Sequence, residues 1–285
     1  MRARRSRVPA LAAGAAVLLL AASGPATARQ TTVTSGAVTA TLTSSGTVFD
    51  PGPISLTVTR AGAPTTFSGL QSDPSGAGAP RGANAGTYGP MPNDPLSVRD
   101  LDGDREPEVL VRLFSGGAHC CEVTSIASFD AAAGAYRLTA KAFNDAGWVL
   151  RNVGGTPSPE FVSWDFRWAY WGGAYAGSPK PLQVWSFAGG AFTDVTRRFP
   201  AQLKRDQARQ LSYVAEAHRQ GVSPRGAFAA YVADGYSLGR PGAALARVRA
   251  LDQAPGRARF LKALHNQLVR TGYTKPLPTT AAAAR

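Results

Sequence analysis

Cysteine and histidine are scarce in this chain, which has two cysteines and three histidines among 285 residues. Structural zinc sites usually draw on four such ligands at regular spacings, and the sequence contains no such spacing. It also contains no glycine-rich phosphate loop, no nucleophile elbow and no zinc-protease helix motif. The sequence therefore presents no convincing catalytic constellation, and we expect a binding protein more than an enzyme.

Long apolar runs are missing after residue 28. The apolar stretch of residues 8–22 follows four arginines and precedes small residues that end at Ala28. This order predicts a signal peptide that is cleaved after Ala28 and a secreted or extracytoplasmic mature chain. The alternative is an uncleaved membrane anchor, although a span needs about 20 strongly apolar residues. The pair Arg4-Arg5 alone does not decide between the Sec and twin-arginine export routes.

Acidic residues are scarce in the C-terminal third. Residues 196–285 hold 16 Lys and Arg against 4 Asp and Glu, whereas residues 29–195 hold 11 against 14. One interpretation is a solvated helical surface, because the arginines are spread along several segments. The other is binding of an anionic polymer or a membrane surface through this basic part. Nucleic acid is not expected as a partner.

Apolar periodicity predicts an α+β fold. Short alternating segments separated by turn residues predict an antiparallel β meander, and residues 109–114 are apolar at nearly every position, as in a strand buried on both faces. After Pro200 the apolar residues recur at helical spacing in about four segments. The predicted organisation is a β domain of residues 29–195, a basic helical domain of residues 196–273 and a disordered tail of residues 274–285.

One segment of the β region occurs twice. Residues 98–109 align with residues 150–161 at a displacement of 52 residues, and the arginine, the proline, the glutamate and the following strand are kept. We expect the two loops to occupy equivalent places in a repeated β unit. The second loop, between Asn152 and Glu160, has lost most of its acidic residues.

The first of these loops predicts a calcium site. Calcium takes roughly 6 to 8 oxygen ligands, and calcium loops supply them from alternate positions. Gly103 allows the sharp turn between the ligands, and Glu106 would use its backbone carbonyl. The alternatives are an acidic turn without an ion and another divalent metal. The five alternate positions are Asp100, Asp102, Asp104, Glu106 and Glu108.

This loop resembles the calcium loops of FG-GAP and VCBS-type repeat proteins, relatives of the integrin α-chain propeller. Their pattern is Asp-x-Asp/Asn-Gly-Asp-x-x-x-Asp before a hydrophobic strand, and Glu108 stands where that pattern ends in aspartate. The β region holds about three units where a propeller needs roughly 4 to 8 blades. The resemblance implies blade-like sheets without a complete propeller, and an ion that stiffens the sheet while binding occurs elsewhere.

The two cysteines, Cys120 and Cys121, are adjacent in the sequence. In an exported protein free thiols do not persist, which predicts a vicinal disulfide or a bond to another chain. The alternatives are a nucleophilic cysteine with His119 as its base, and a metal site that includes His119.

Aromatic residues crowd into residues 164–185. Aromatic faces beside polar groups can stack on sugar rings, which makes Trp164, Trp168 and Trp171 candidate ligand-binding residues; the alternative is that they fill the junction between sheet and helices. The predicted function is a secreted, calcium-stabilised binding or cell-envelope protein for a polysaccharide or another extracellular protein. The alternative is a secreted hydrolase of glycans or esters, with its site near residues 164–185 or His119.

Overall fold

The computed structural model describes residues 28–46, 51–68, 70, 88–117, 120–175, 178 and 180–275. Residues 1–27 of the expected signal peptide and residues 276–285 of the expected tail lie outside this range. Antiparallel sheets that do not close into a barrel are followed by four helices, so the predicted α+β class is confirmed.

The first sheet has the strand order β1-β2-β3-β4. Its two central strands alternate buried apolar residues with threonine and serine, so one face is dry and the other is polar. On the polar face threonines of neighbouring strands hydrogen-bond in pairs, for example Thr32 with Thr41 at 3.0 Å. The strands are β1 (Arg29–Ser35), β2 (Val38–Gly46), β3 (Pro51–Arg60) and β4 (Ala63–Ser68).

The second and third sheets are also antiparallel meanders. The second has the order β5-β7-β8-β9, with β6 paired to β7, and the third has the order β10-β11-β12-β13. The second sheet contains β5 (Gly89–Pro90), β6 (Leu96–Arg99), β7 (Glu108–Gly117), β8 (Cys120–Asp130) and β9 (Ala135–Asn144). The third contains β10 (Val149–Arg151), β11 (Glu160–Trp164), β12 (Leu182–Ala188) and β13 (Ala191–Asp194).

The second sheet lies between the other two, which explains the apolar character of β7. Val109, Val111 and Leu113 belong to the core shared with the first sheet. Leu110 points to the opposite face, where it packs with Phe161 and other residues of the third sheet. Because successive side chains of a strand point to opposite faces, a strand in the middle layer is apolar at nearly every position. The prediction that this strand is buried on both faces is confirmed.

Four helices cover the outer face of the third sheet. Leu203 of the first helix packs with Leu182, Val184 and Val195, and the remaining helices enclose a core of their own. Prolines occupy the first positions of the first and third helices, where the missing N–H costs no hydrogen bond. The helices are α1 (Pro200–Arg219), α2 (Arg225–Ser237), α3 (Pro241–Leu251) and α4 (Arg257–Arg270).

Candidate functional site

The first hairpin, residues 99–108, joins β6 to β7 in the second sheet. Arg99 pairs with Glu108 in the strand register, and the residues between them form the turn. Gly103 has a φ of +85°, a conformation that L side chains rarely adopt. The sharp turn expected at Gly103 is therefore present, and it folds the acidic side chains back over the start of β7.

Three of the five expected ligands come together in this hairpin. Asp100, Asp102 and Glu108 each place a carboxylate oxygen within 4.8 Å of the others. Asp100 accepts the N–H groups of Gly103 at 2.7 Å and Arg105 at 3.0 Å. Among the described residues, none of the three carboxylates forms an ion pair with lysine or arginine.

The other two expected ligands direct their side chains elsewhere. The Asp104 carboxylate accepts the N–H of Glu106 at 2.7 Å. The Glu106 carboxylate accepts two hydrogen bonds from the Arg60 guanidinium, both at 2.8 Å. This leaves Glu106 with its backbone carbonyl, the atom that the sequence pattern assigns to it, and the five-residue ligand set stays a prediction.

Glu108 is the buried member of the cluster, with 3% of its surface exposed. One of its carboxylate oxygens accepts the Leu101 N–H at 2.8 Å. Burial raises the pKa of Glu108 to about 8, the Leu101 N–H opposes the rise, and the nearby charges of Asp102 and Asp104 add to it. A carboxyl group in this position is costly to ionise unless a cation lies beside it.

The first hairpin touches all three sheets. Arg60, at the end of β3 in the first sheet, reaches it through the Glu106 ion pair. Gly189, in the turn between β12 and β13 of the third sheet, donates its N–H to Asp102 at 3.3 Å. A Cβ built on Gly103 would lie 2.9 Å from the Ser158 hydroxyl, so the first hairpin also contacts the loop between β10 and β11 of the third sheet. The acidic cluster lies where the three layers meet at one edge.

The second hairpin, residues 151–160, has the same strand pairing and a buried glutamate, but it lacks the aspartates of the first. Arg151 pairs with Glu160, 52 positions after the pair Arg99 and Glu108. The carboxylate of Glu160 is buried and accepts the Val153 N–H at 2.8 Å, as Glu108 accepts that of Leu101. The two loops thus occupy equivalent places in neighbouring sheets.

The cysteine pair lies at the start of β8. Cys121 is 2% exposed, and its backbone N–H donates to the Ser115 hydroxyl at 2.8 Å. His119 and the side chain of Cys120 lie outside the described residues, in which no free cysteine occurs. The vicinal disulfide stays a prediction.

The three candidate tryptophans do not form one site. Trp168 is 1% exposed and belongs to the core between the helices. Trp171 packs against Trp168 and against Phe260 of α4, with ring centroids 5.6 Å and 6.0 Å apart. These two indoles fill the junction with the helices, which was the alternative interpretation. Trp164 lies apart from them on β11, where the guanidinium group of Arg209 from α1 lies 5.3 Å from the centre of its ring.

Trp164 lines a cleft of about 630 Å³ between the third sheet and the first two helices. Lys180 contributes to its wall, and burial lowers the pKa of that ammonium group. The Tyr175 hydroxyl donates to Asp145, and burial followed by this bond raises the pKa of Tyr175. The sequence gives no sign of the α1 side of the cleft, because those residues lie more than 40 positions from Trp164. That side is formed by Arg209, Gln210, Tyr213, Glu216, Ala217 and Gln220.

Two buried acids connect the elements around the cleft. Asp234 of α2 is fully buried, and one of its oxygens accepts the Leu182 N–H at 3.2 Å. Burial, followed by the neighbouring Asp206 of α1, raises the pKa of Asp234 well above its ordinary value. Asp206 in turn pairs with Arg209 and accepts the Gln210 side-chain N–H at 2.9 Å. These acids hold the two helices and the sheet together.

The exposed charge of the helices is almost entirely positive. Three of the four acids in this part, Asp206, Asp234 and Asp252, are at most 6% exposed, whereas arginines such as Arg247 and Arg259 face solvent. Among the described residues no helix has the length and apolar character that a membrane crossing requires. Binding of an anionic polymer or a membrane surface through these helices stays a prediction.

Comparison with known proteins finds one distant likeness. The chain is 30% identical over 170 residues to a "Probable thylakoid lumen protein" of Synechocystis sp.. The match covers 54% of this chain and 47% of that protein, so the chain spans about half the length of its relative. No protein-family model matches the chain, and no solved structure matches it.

Proposed function

We propose that this chain is an extracytoplasmic, non-enzymatic binding protein whose scaffold is stabilised by one calcium ion in the first hairpin. The observation that carries the calcium proposal is the convergence of carboxylate oxygens from Asp100, Asp102 and Glu108 within 4.8 Å, without an ion pair to a described basic residue. Like charges held at this distance repel one another, and a divalent cation between them removes that repulsion.

The donor set favours a hard cation. All three converging groups are carboxylates, the Glu106 carbonyl can add a fourth oxygen, and water can complete the roughly 6 to 8 ligands that calcium takes. Thiolate and imidazole donors, which softer transition metals prefer, are missing from the cluster. Calcium therefore matches the chemistry of the cluster better than zinc or copper.

The position of the cluster indicates a structural role for the ion. Asp102 already contacts Gly189 of the third sheet, and the neighbouring Glu106 is paired with Arg60 of the first. An ion that binds Asp102 and Glu108 also stabilises this hairpin, and with it the contacts that the hairpin makes with the first and third sheets. We infer that calcium stabilises the scaffold, and that the binding activity lies elsewhere on the molecule.

The location of the relative supports an extracytoplasmic place for this chain. That protein is named for the thylakoid lumen, which lies outside the cytoplasm, and the N-terminal sequence has the features of a signal peptide. A site with a dissociation constant of about 10⁻⁴ to 10⁻³ M is typical of extracellular calcium modules.

Calcium binding is tested on the mature protein, residues 29–285, by titration calorimetry and by thermal melting in calcium and in chelator. We expect one ion per chain and a melting temperature about 5 to 10 °C higher at saturating calcium, since a ligand that binds only the folded state stabilises it. Asp102→Asn should abolish both effects. Asp94→Asn removes the same charge from an exposed position outside the cluster and should retain them.

The calcium proposal fails if the melting temperature of the mature protein is the same in calcium and in chelator. It also fails if Asp94→Asn and Asp102→Asn respond alike, because the effect would then come from the overall charge of the protein.

Hydrolysis is the second candidate function. Two carboxylates, Asp145 and Glu216, line the cleft beside Trp164, and paired carboxylates are the catalytic groups of most glycosidases. Glu216 is held by Arg219 and Gln220. Turnover of glycan or ester substrates by the mature protein, lost in Glu216→Gln, would establish this function in place of simple binding.

A further inference from the structure

We propose that the cleft beside Trp164 binds a neutral oligosaccharide. The cleft has a volume of about 630 Å³, and ligand pockets in proteins usually measure roughly 300 to 1,000 Å³. This inference deepens the proposed binding function by naming its site and its ligand class. It does not depend on calcium in the first hairpin.

The cleft keeps apolar side chains exposed. Tyr213 is 46% exposed and Val222 is 54% exposed, and both line the cleft. They are two of the five large hydrophobic residues that stay exposed in the described part of the chain. A tyrosine ring offers a flat apolar face with a polar tip, which suits the C–H face of a sugar ring. Such a contact would bury surface that the protein otherwise leaves in water.

Polar atoms without partners surround the same cleft. Gln210 is fully buried; its Nε2 donates to Asp206 at 2.9 Å, whereas its Oε1 has no hydrogen-bond partner among the described residues. The Nε1 of Trp164 and the Nε of Arg209 are likewise buried without a partner. A buried polar atom left unpaired costs about 1 to 3 kcal/mol. All three residues line the cleft, so a ligand bound there lies next to these side chains.

The unpaired atoms specify the chemistry of the ligand. Gln210 Oε1 requires a donor, whereas the N–H groups of Trp164 and Arg209 require acceptors. A hydroxyl group is both donor and acceptor, so a polyhydroxylated ligand can satisfy all three atoms. Few other biological ligands combine many hydroxyl groups with an apolar ring face.

The charges of the cleft favour a neutral ligand. Arg209 is paired with Asp206, and Glu216 is paired with Arg219. Lys180 lies 4.4 Å over the ring of Tyr175, with burial lowering its pKa. The basic groups of the cleft are thus held by neighbours, in contrast to the exposed arginines on the outer helices. An anionic polymer would be drawn to those helices instead.

A second cavity extends the site. It measures about 210 Å³ and shares Trp164 and Arg209 with the cleft. Arg151 of the second hairpin and Gln202 of α1 also line it. Together the two cavities provide space for several linked sugar units, and a tetrasaccharide is therefore a suitable probe.

The test uses a glycan array followed by titration of the mature protein with cellotetraose, maltotetraose and tetra-N-acetylchitotetraose. We expect at least one of these saccharides to bind with a dissociation constant below about 1 mM, with a change in tryptophan fluorescence. Tyr213→Ala and Gln210→Met should each weaken binding at least about tenfold. Leu138→Ala, which truncates an exposed residue of β9 away from the cleft, is the matched control and should leave binding unchanged.

Tyr213 is exposed on α1, so its truncation tests the site even if Gln210→Met proves unstable. The proposal is overturned if the protein binds no glycan on the array and none of the three tetrasaccharides. It is also overturned if Tyr213→Ala binds the saccharide as tightly as the parent protein. Each titration is repeated in chelator. If saccharide binding persists in chelator and the melting temperature does not respond to calcium, only the calcium proposal is refuted. If the protein responds to calcium but binds no saccharide, only the proposal for the cleft is refuted.

Discussion

In the first hairpin Glu108 accepts the N–H of Leu101, and in the second hairpin Glu160 accepts the N–H of Val153, each at 2.8 Å. The two turns share strand register and the buried glutamate, yet only the first surrounds its glutamate with aspartates. Because the second hairpin makes the same buried-glutamate contact without them, that contact does not require the aspartates. Their concentration around Glu108 indicates a separate role, which we propose is to hold calcium.

Glutamine substitutions at the two buried glutamates should give the largest difference. In saturating calcium, Glu108→Gln should lower the melting temperature by about 5 to 10 °C, because the ion is lost. In chelator near neutral pH the same change should be nearly neutral, because burial already keeps the Glu108 carboxyl largely protonated and the glutamine oxygen can still accept the Leu101 N–H. Glu160→Gln should change the melting temperature by the same amount in calcium and in chelator, relative to the parent protein. Equal calcium responses of the two variants, measured by scanning calorimetry, would contradict the proposed difference between the two hairpins.

Removing the acceptor from the second hairpin should be the next largest effect. Glu160→Ala leaves the Val153 N–H without a buried partner and should cost about 1 to 3 kcal/mol of unfolding free energy. Glu160→Gln keeps an acceptor oxygen and should cost less than half as much. Urea denaturation at a fixed calcium concentration measures both. An equal loss in the two variants would mean that the carboxylate charge matters, and not its hydrogen bond.

Grafting the missing acids should install a weaker site. Asn152→Asp with Gly154→Asp recreates the arrangement of Asp100 and Asp102 around Glu160. We expect calorimetry to detect a second calcium ion, with a melting shift of about 1 to 3 °C. The gain is small because a Cβ at Gly154 lies 3.0 Å from the Glu160 carboxylate. Asn152→Asp with Gly154→Asn is the matched control. If this control also binds a second calcium ion, the carboxylate at position 154 is not the ligand that we propose.

The smallest effect concerns the ion pair that only the first hairpin has. Glu106→Gln weakens the contact with Arg60 and should cost at most about 1 kcal/mol, because both side chains are partly exposed. Ser158 occupies the corresponding place in the second hairpin, and Ser158→Ala should cost less. Urea melts in low and high salt separate the two, since the loss at Glu106 should shrink as salt screens the pair.

The strands and helices could largely be predicted from the sequence, because each depends on residues that are close together in the chain. Examples are the alternation in β3, the continuous apolar run of β7 and the proline that begins α1. The equivalence of the two hairpins could be predicted as well, because a displacement of 52 residues keeps the arginine, the glutamate and the following strand together. The strands β5 and β10 carry too few residues for any periodicity to show.

The candidate sites depended on contacts between distant parts of the chain. The sequence lists five acidic positions in the first hairpin, but it does not show that Glu106 turns to Arg60, 46 positions away. It places Trp164 among other aromatic residues and does not reveal that Trp168 is buried between helices.

What the sequence determined by itself was the order of strands and helices, the basic charge of the C-terminal third and the acidic turn, because these depend on neighbouring residues. Only the tertiary structure decided that three acids converge while two do not, and that Trp164 lines one cleft together with Gln210 and Tyr213. The physical reason is that side-chain direction and burial are fixed by packing between layers, and packing joins residues that the sequence keeps far apart.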